Sequence, residues 1–162
     1  MKRENNQSTA ILNIRPMRQT DIEAIAVNRC LPWSTIQESK DKWDNYYREQ
    51  QTSVRTVAIV EHNETIMGYG SLLLKSKYPY FAGLPEVHDI WIYEEYRKKG
   101  IGSRLIGWLE NLAKEKGYQE IVIGVGLYAD YGSAQRLYVR LGYLPDGRGI
   151  TYNYQSTIAG QS

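Results

Sequence analysis

The chain has 162 residues, 42% hydrophobic and 23% charged, with a net charge of +2. That is the size of one domain with a single core, burying roughly 70% of the unfolded surface. Near-balanced charge argues against a nucleic-acid partner, and no apolar run approaches the ~18 residues of a membrane span. A single cysteine, Cys30, excludes an internal disulfide and, with no evident signal peptide, points to the cytoplasm. Fourteen Tyr and four Trp stand against one Phe, and aromatics with polar edges suit a half-wet, concave surface better than a dry core.

Residues 1–9 read as a flexible polar N-terminus, 10–155 as one domain and 156–162 as a polar tail. Residues 11–15 (Ile-Leu-Asn-Ile-Arg) predict a first strand, stopped by Pro16. Thr20 is placed to cap a helix, with Glu23 at capping-box spacing and Ile22, Ile25 and Ala26 behind it; Leu31-Pro32-Trp33 ends that helix. Cys30 reads as a small core residue rather than a nucleophile. A second helix starts at Ser34 or Thr35 and aligns Trp43, Tyr46 and Tyr47 on one stripe, either a core face or the wall of a pocket. Residues 54–61 and 65–74 predict two strands around a turn at His62-Asn63-Glu64, with Gly68 and Gly70 marking a bulge. The loop over 75–84 carries Tyr78, Tyr80 and Phe81, a set suited to folding over a substrate or packing on itself.

Residues 86–93 (Glu-Val-His-Asp-Ile-Trp-Ile-Tyr) predict the central strand. Alternation puts Glu86, His88, Ile90 and Ile92 on one face and Val87, Asp89, Trp91 and Tyr93 on the other. Arg97-Lys98-Lys99-Gly100-Ile101-Gly102 then opens a helix with apolar Ile101, Leu105, Trp108, Leu109 and Leu112, ending at Gly117. A strand that passes through a Gly-punctuated turn into a helix aims several backbone N–H groups at one small volume. The helix dipole adds roughly half a positive charge there, and Arg97, Lys98, Lys99 and Arg104 add full charges, so the expected guest is a phosphate or pyrophosphate. A P-loop would need Lys after Gly102, where Ser103 stands, and a dinucleotide-binding turn would need a third Gly where Leu105 stands. Further on, Ile121, Ile123 and Val125 alternate along a strand over 120–126 with Gly124 and Gly126 opposite. A helix from Tyr131 or Ser133 buries Ala134, Leu137, Tyr138 and Leu141 and ends at Gly142.

Arg97, Gly100 and Gly102 match the pattern [Arg/Gln]-x-x-Gly-x-[Gly/Ala], and Ala134, Leu137, Tyr138, Gly142 and Tyr143 match Ala-x-x-Leu-Tyr-x-x-x-Gly-[Phe/Tyr]. In this order, separated by a strand, they resemble the two signatures of the GCN5-related N-acetyltransferases (GNAT). The resemblance implies an α/β (α+β) fold: a mixed, mostly antiparallel V-shaped sheet of six to seven strands, flanked by about four helices, in the order β-α-α-β-β-β-α-β-α-β. It implies acetyl-CoA as cofactor, held by Ile90, Trp91 and Ile92 of the central strand, by Arg97, Lys98, Lys99, Gly100, Ile101, Gly102 and Ser103, and by Tyr131, Ser133 and Arg136. Tyr131 stands where the family often has Asn, so that contact is lost or passes to Ser133. Trp33, Trp43, Tyr46 and Tyr47 fall in the region that walls the acceptor pocket. After Tyr143 only one further strand is offered, so either the last strand is absent or residues 150–154 supply it. An unpaired sheet edge would invite a homodimer or strand exchange.

The implied chemistry is transfer of the acetyl group to a primary amine of a small molecule or peptide, by direct attack in a ternary complex. An amine of pKa near 10.4 is neutral in only about one molecule in 2,500 at pH 7, a deficit of roughly 4.6 kcal/mol. Glu86 stands where histone-acetylating members carry their catalytic carboxylate, and His88 follows two residues on; either can take the proton, directly or through water. A backbone N–H near Ile92, exposed by a bulge, is the implied oxyanion donor, and Tyr138 the implied proton donor to the departing thiolate. The alternative is a non-catalytic acyl-CoA-binding or sensing module. No metal, nucleic acid or membrane is expected.

Overall fold

The computed structural model describes residues 12–28 and 34–160; Cys30 and the Leu31-Pro32-Trp33 break lie outside the described residues. Strands β1 (Asn13–Pro16), β2 (Arg55–His62), β3 (Thr65–Leu73), β4 (Glu86–Ile92) and β5 (Val122–Ile123) form one sheet in that order. The first four pair antiparallel, while β4 and β5 are parallel. A parallel pair needs a crossover, which helix α3 (Ile101–Glu115) supplies.

Helices α1 (Asp21–Asn28) and α2 (Ile36–Gln51) cover one face, and α3 covers the other. Strand β2 shows why: Val57 and Ile59 join Ile22, Ile25, Trp43 and Tyr69 in one core, while Ala58 and Val60 join Leu72, Val87, Leu105 and Leu109 in a second. A strand apolar at both parities is buried on both faces, and each buried Leu or Ile contributes about 1.5–3 kcal/mol. Helix α2 begins with a full capping box, the Thr35 hydroxyl accepting from the Glu38 N–H and the Glu38 carboxylate from the Thr35 N–H. The β2–β3 turn places Asn63 and Glu64 at φ 47° and 64°, the positive values a two-residue hairpin turn requires.

The expected alternation of the central strand fails in its middle. Tyr69 pairs with Trp91 and Ser71 with His88, so Gly70 alone opposes both Asp89 and Ile90, and Asp89 sits at φ 55°. One extra residue reverses every later side chain. Ile90 and Ile92 therefore join Val87 against α3, and do not share a face with Glu86 and His88; Trp91 turns to the α1/α2 side. A Cβ at Gly70 would lie 2.3 Å from Ile90 Cδ1, so the end of that side chain would have to move. The bulge falls at Asp89–Ile90, ahead of the Ile92 position implied by the resemblance.

Pairing of β4 with β5 ends after Val87 and Ile123, so the two strands part and the sheet opens into a V. The expected strand over 120–126 keeps only two ladder residues. Helix α4 (Gly132–Arg140) packs on α3, with Gly102 close to Leu137 and the Tyr143 hydroxyl donating to Glu110 Oε1 at 2.9 Å. Residues 150–154 do not extend the main sheet: β6 (Thr151–Tyr152) and β7 (Gln155–Ser156) pair only with each other, about a turn with Asn153 and Tyr154 at positive φ.

Candidate active site

Two sets of groups lie along β4. The first is the turn after it. A short 3-10 turn, Glu94–Tyr96, leads to Lys98 at φ 61° and Gly100 at φ 75°, and alternating left-handed residues turn successive N–H groups into a concave anion nest. The first helical hydrogen bond is Arg104 N–H to the Gly100 carbonyl, so the N–H groups of Ile101, Gly102 and Ser103 precede the α3 ladder. No heavy atom lies within 4 Å of a Cβ built on Gly100, so this cradle is open. Ile101 is buried beneath it and anchors the helix start. Arg97 folds back, its Nε donating to the Ile92 carbonyl at 2.9 Å and its guanidinium 4.6 Å over the Trp91 ring. Lys99 Nζ donates to the Glu95 carbonyl. A Cβ at Gly102 would stand 3.4 Å from Leu137 Cδ2, an ordinary contact across the α3–α4 packing. The turn therefore fits a pyrophosphate: open, lined by main-chain donors and set in a stretch of sequence rich in Lys and Arg.

Across the V, Tyr131 lays its ring on Gly126, with ring atoms 2.5 Å from where a Cβ would stand. Gln135 Nε2 donates to the Gly126 carbonyl at 2.8 Å, fixing α4 to the splayed strand. Ser133 and Arg136 are exposed on α4. Tyr138 is 9% exposed, its ring 6.2 Å from Tyr143. Burial, and next the neighbouring Tyr131, push its phenol above the ordinary value, so it keeps its proton at neutral pH and is a donor.

The second set lies on the α1/α2 side of β4. Glu86 is 5% exposed and accepts from the Ser76 hydroxyl at 2.8 Å. Its Oε1 lies 3.8 Å from a Cβ built on Gly124, at the point where β4 and β5 part. His88 Nδ1 is 3.2 Å from Arg55 Nη1. Burial, and next the Arg55 charge, hold the His88 pKa below the ordinary value, against Asp89 and Glu86. Arg55 also bonds Glu49 Oε2 at 2.6 Å and Ser71 Oγ at 2.7 Å, and stacks 3.8 Å from the Tyr46 ring centre. Asp89, turned by the bulge, accepts from Lys42 Nζ at 2.6 Å and from the Tyr46 hydroxyl at 3.3 Å. Burial, with Asp89 next, raises the Tyr46 phenol far above its usual range.

The aromatic stripe of α2 divides. Tyr46 joins this polar cluster, whereas Trp43 is 1% exposed and edge-on to Tyr46 and Tyr69, leaving it no surface for a ligand. Tyr47 faces a separate hollow with Gln19, Asp41, Asp44, Arg48 and Gln51. Trp33 lies outside the described residues. On the remaining side, Arg148 stacks 4.1 Å over Tyr80. Tyr154, on the tip of the β6–β7 hairpin, has its phenol raised by burial and next by Glu86, with Arg55 opposing; hairpin and aromatic loop thus close in beside Glu86. Arg55, Glu49, Ser71, Asp89 and Ser76 were not singled out from sequence. The signal for Arg55 was a charged residue at the same strand parity as Val57 and Ile59.

Among the described residues no helix is long and apolar enough to cross a membrane, and no cluster of metal-ligating side chains occurs.

The main sheet thus opens into a V, with the nest in the turn that follows β4. The family model for the acetyltransferase (GNAT) family matches residues 17–143, and the chain belongs to that family. In fold it is similar to the aminoglycoside N-acetyltransferase AAC(6')-Iy in complex with CoA, at TM-score 0.71 and 16% identity over 88% of this chain and 93% of the other. The same enzyme in complex with the bisubstrate analogue CoA-S-monomethyl-acetylneamine gives TM-score 0.70 and 15% identity, over 88% of this chain and 97% of the other. A predicted acetyltransferase with acetyl-CoA from Clostridium acetobutylicum gives 0.66 and 15%, over 88% and 96%.

Proposed function

We propose that the protein is an acetyl-CoA-dependent N-acetyltransferase whose acceptor is a primary amine of a small molecule or peptide. The observation that carries this reading is the open nest at Lys98–Gly100, in the turn beyond the end of β4, on the same strand whose start carries Glu86 at the point where β4 and β5 part. When bound, acetyl-CoA supplies the thioester that the amine attacks and the thiolate that departs. The N–H groups from Lys98 to Ser103 would hold its pyrophosphate, with Lys98, Lys99 and Arg97 adding charge. The β4 main chain from Asp89 to Ile92, no longer paired to β5, is the edge along which Ile90, Trp91 and Ile92 would receive the pantetheine arm. Tyr131 and Gln135 brace the opposite wall.

Glu86 is the proposed base. It is buried, held by one hydrogen bond from Ser76, and its second oxygen is turned to the gap. A base there offsets much of the roughly 4.6 kcal/mol that deprotonating an amine costs at pH 7. Main-chain N–H groups around the Asp89–Ile90 bulge are released from the β3 ladder and are the proposed donors to the developing oxyanion. Tyr138, kept protonated by burial, is the proposed donor to the thiolate. Tyr46, Tyr80 and Tyr154 would line the acceptor side.

Incubating the protein with acetyl-CoA and a panel of amines, while following thiol release, tests this reading. Acceptor-dependent release at a steady rate is the expected result. CoA binding without release from any amine would instead support an acyl-CoA-sensing module, and neither binding nor release would refute both.

A further inference from the structure

Arg55, the first residue of β2, is 1% exposed, an expensive place for a charge. Three contacts hold it. Nε donates to Glu49 at 2.6 Å, which neutralises it; Nη1 donates to Ser71 Oγ at 2.7 Å; the guanidinium plane lies 3.8 Å from the Tyr46 ring centre. A fourth contact is with His88, whose Nδ1 is 3.2 Å from the same Nη1. Ser71 has no second role to offer the ring, since its own hydroxyl proton goes to the His88 carbonyl at 2.9 Å.

A guanidinium carries donors only and keeps its charge at every accessible pH. The nitrogen facing it must therefore present a lone pair, and the single proton of the neutral imidazole must sit on Nε2. We propose that Arg55 is a positioning residue that locks His88 in its neutral Nε2–H form, so that His88 serves the acceptor site as a hydrogen-bond donor and not as the base. With Nε2 already protonated, the ring can take an acceptor's proton only by breaking the Arg55 contact and placing two cations face to face. What Nε2–H recognises is a lone pair, either an oxygen of the acceptor or the water that relays its proton to Glu86.

The groups facing His88 from each surrounding element agree in balance. Arg55 on β2 and Lys77 in the loop disfavour an imidazolium; Asp89 and Glu86 on β4 favour it, but Lys42 and Tyr46 of α2 already engage Asp89. Glu49 of α2 is spent on Arg55, and Ser71 of β3 is neutral. The assignment of the tautomer stands on the Arg55 geometry alone; only its catalytic consequence rests on the acetyl-transfer reading.

The two parts can be tested apart. The chain has two histidines, so long-range ¹⁵N–¹H correlation spectra of the full-length labelled protein, assigned with His88→Gln, report both ring tautomers directly. His88 is expected to show a protonated Nε2 and a bare Nδ1 from pH 8 to 6, without titrating at the ordinary histidine value. A protonated Nδ1, or an ordinary titration, would overturn the proposal whether or not the protein proves to be an enzyme. In Arg55→Gln the His88 midpoint should rise and the second tautomer should appear. Should that variant fail to fold, the kinetic pair decides: a donor role predicts His88→Gln at least tenfold faster than His88→Ala with the acid limb of the pH–rate profile in place. Equal losses in both variants, with that limb abolished, would identify His88 as the base.

Discussion

Gly68 pairs with Ile92 in the β3–β4 ladder, beside the stretch of β4 that faces the V. A Cβ at this position would lie 2.5 Å from the Trp91 carbonyl oxygen, 2.7 Å from Ile92 Cδ1 and 3.0 Å from Ile92 Cα. Comfortable packing separates such atoms by about 3.5 Å or more. Two of the three are main-chain atoms and cannot rotate away, so Gly68→Ala must push β4 off β3 by roughly half an ångström to one ångström. Overpacking of this kind costs about 1–3 kcal/mol, against the ~0.5–1 kcal/mol that Ala gains over Gly inside an element. A net loss of about 1–2 kcal/mol lowers Tm by roughly 2–8 °C in a domain of this size. Gly107 on α3 is the control: its Cβ would meet nothing within 4 Å, and Gly107→Ala should raise Tm by about 2–4 °C through helix propensity alone. Calorimetric or circular-dichroism melts of both variants in one buffer make the comparison. If Gly68→Ala melts at or above the parent, β3 does not hold the outer half of β4 at the stated spacing, and the reasoning about the V is wrong.

Three other outcomes follow from the same structure. Tyr138→Phe should reduce kcat by about 10²-fold, the lower range for a lost general acid, with little change in CoA affinity by calorimetry; an unaltered kcat removes Tyr138 from the reaction. Arg15 bonds Asp21 at 2.7 and 2.9 Å and Glu61 at 2.7 Å. Burial pushes the Asp21 carboxyl up, but the Arg15 bonds and the Arg18 N–H outweigh it and hold it below its ordinary value, and Arg15 lowers Glu61 likewise. A folded pKa below the unfolded one gives stability that is present above about pH 4–5 and lost as pH falls through the folded value. Arg15→Met should therefore cost about 3 kcal/mol at pH 7 and flatten the acid side of the Tm–pH curve; a parent curve flat from pH 6 to 3 contradicts this. Tyr154 sits at φ 62°, where Gly is at ease and a bulky residue is strained. Tyr154→Gly should leave Tm level or higher while shifting the acceptor's KM and not that of acetyl-CoA; equal shifts in both would place the hairpin away from the acceptor.

The parts of the fold legible in the sequence were those set by neighbouring residues. The helix start at Thr35, the turn around Asn63-Glu64, and the glycines flanking Ile101 each fix local backbone, and the chain adopts it. The continuous apolar run of β2 likewise needs no knowledge of its partners. The bulge at Asp89–Ile90 was not readable at its position, because it depends on Gly70 of another strand standing opposite; Gly70 signalled a bulge but not which strand would carry the extra residue. That single insertion moved Ile90 and Ile92 off the face of Glu86 and brought Asp89 to Lys42. The place of Arg55 is not legible from its neighbours in sequence for a related reason. Its role is made by Glu49, Ser71, Tyr46 and His88 from three other elements, and only its parity with Val57 and Ile59 betrayed that it points inward. Trp43 and Tyr46 share one stripe, yet one is core and the other lies beside a buried guanidinium, a difference that three residues of helical rotation settle only once β2 is in place.

The claim on which the rest depends is that main-chain donors at the start of α3 hold a coenzyme's diphosphate. Calorimetric titration of CoA into the folded protein, with Gly100→Val alongside, tests it most directly. One site per chain is predicted, with affinity that weakens as salt rises, a ligand-dependent gain in Tm, and at least a tenfold loss in Gly100→Val, whose β-branched side chain cannot accept φ 75°. Folded protein that gives neither heat nor a Tm shift at millimolar CoA would contradict the account.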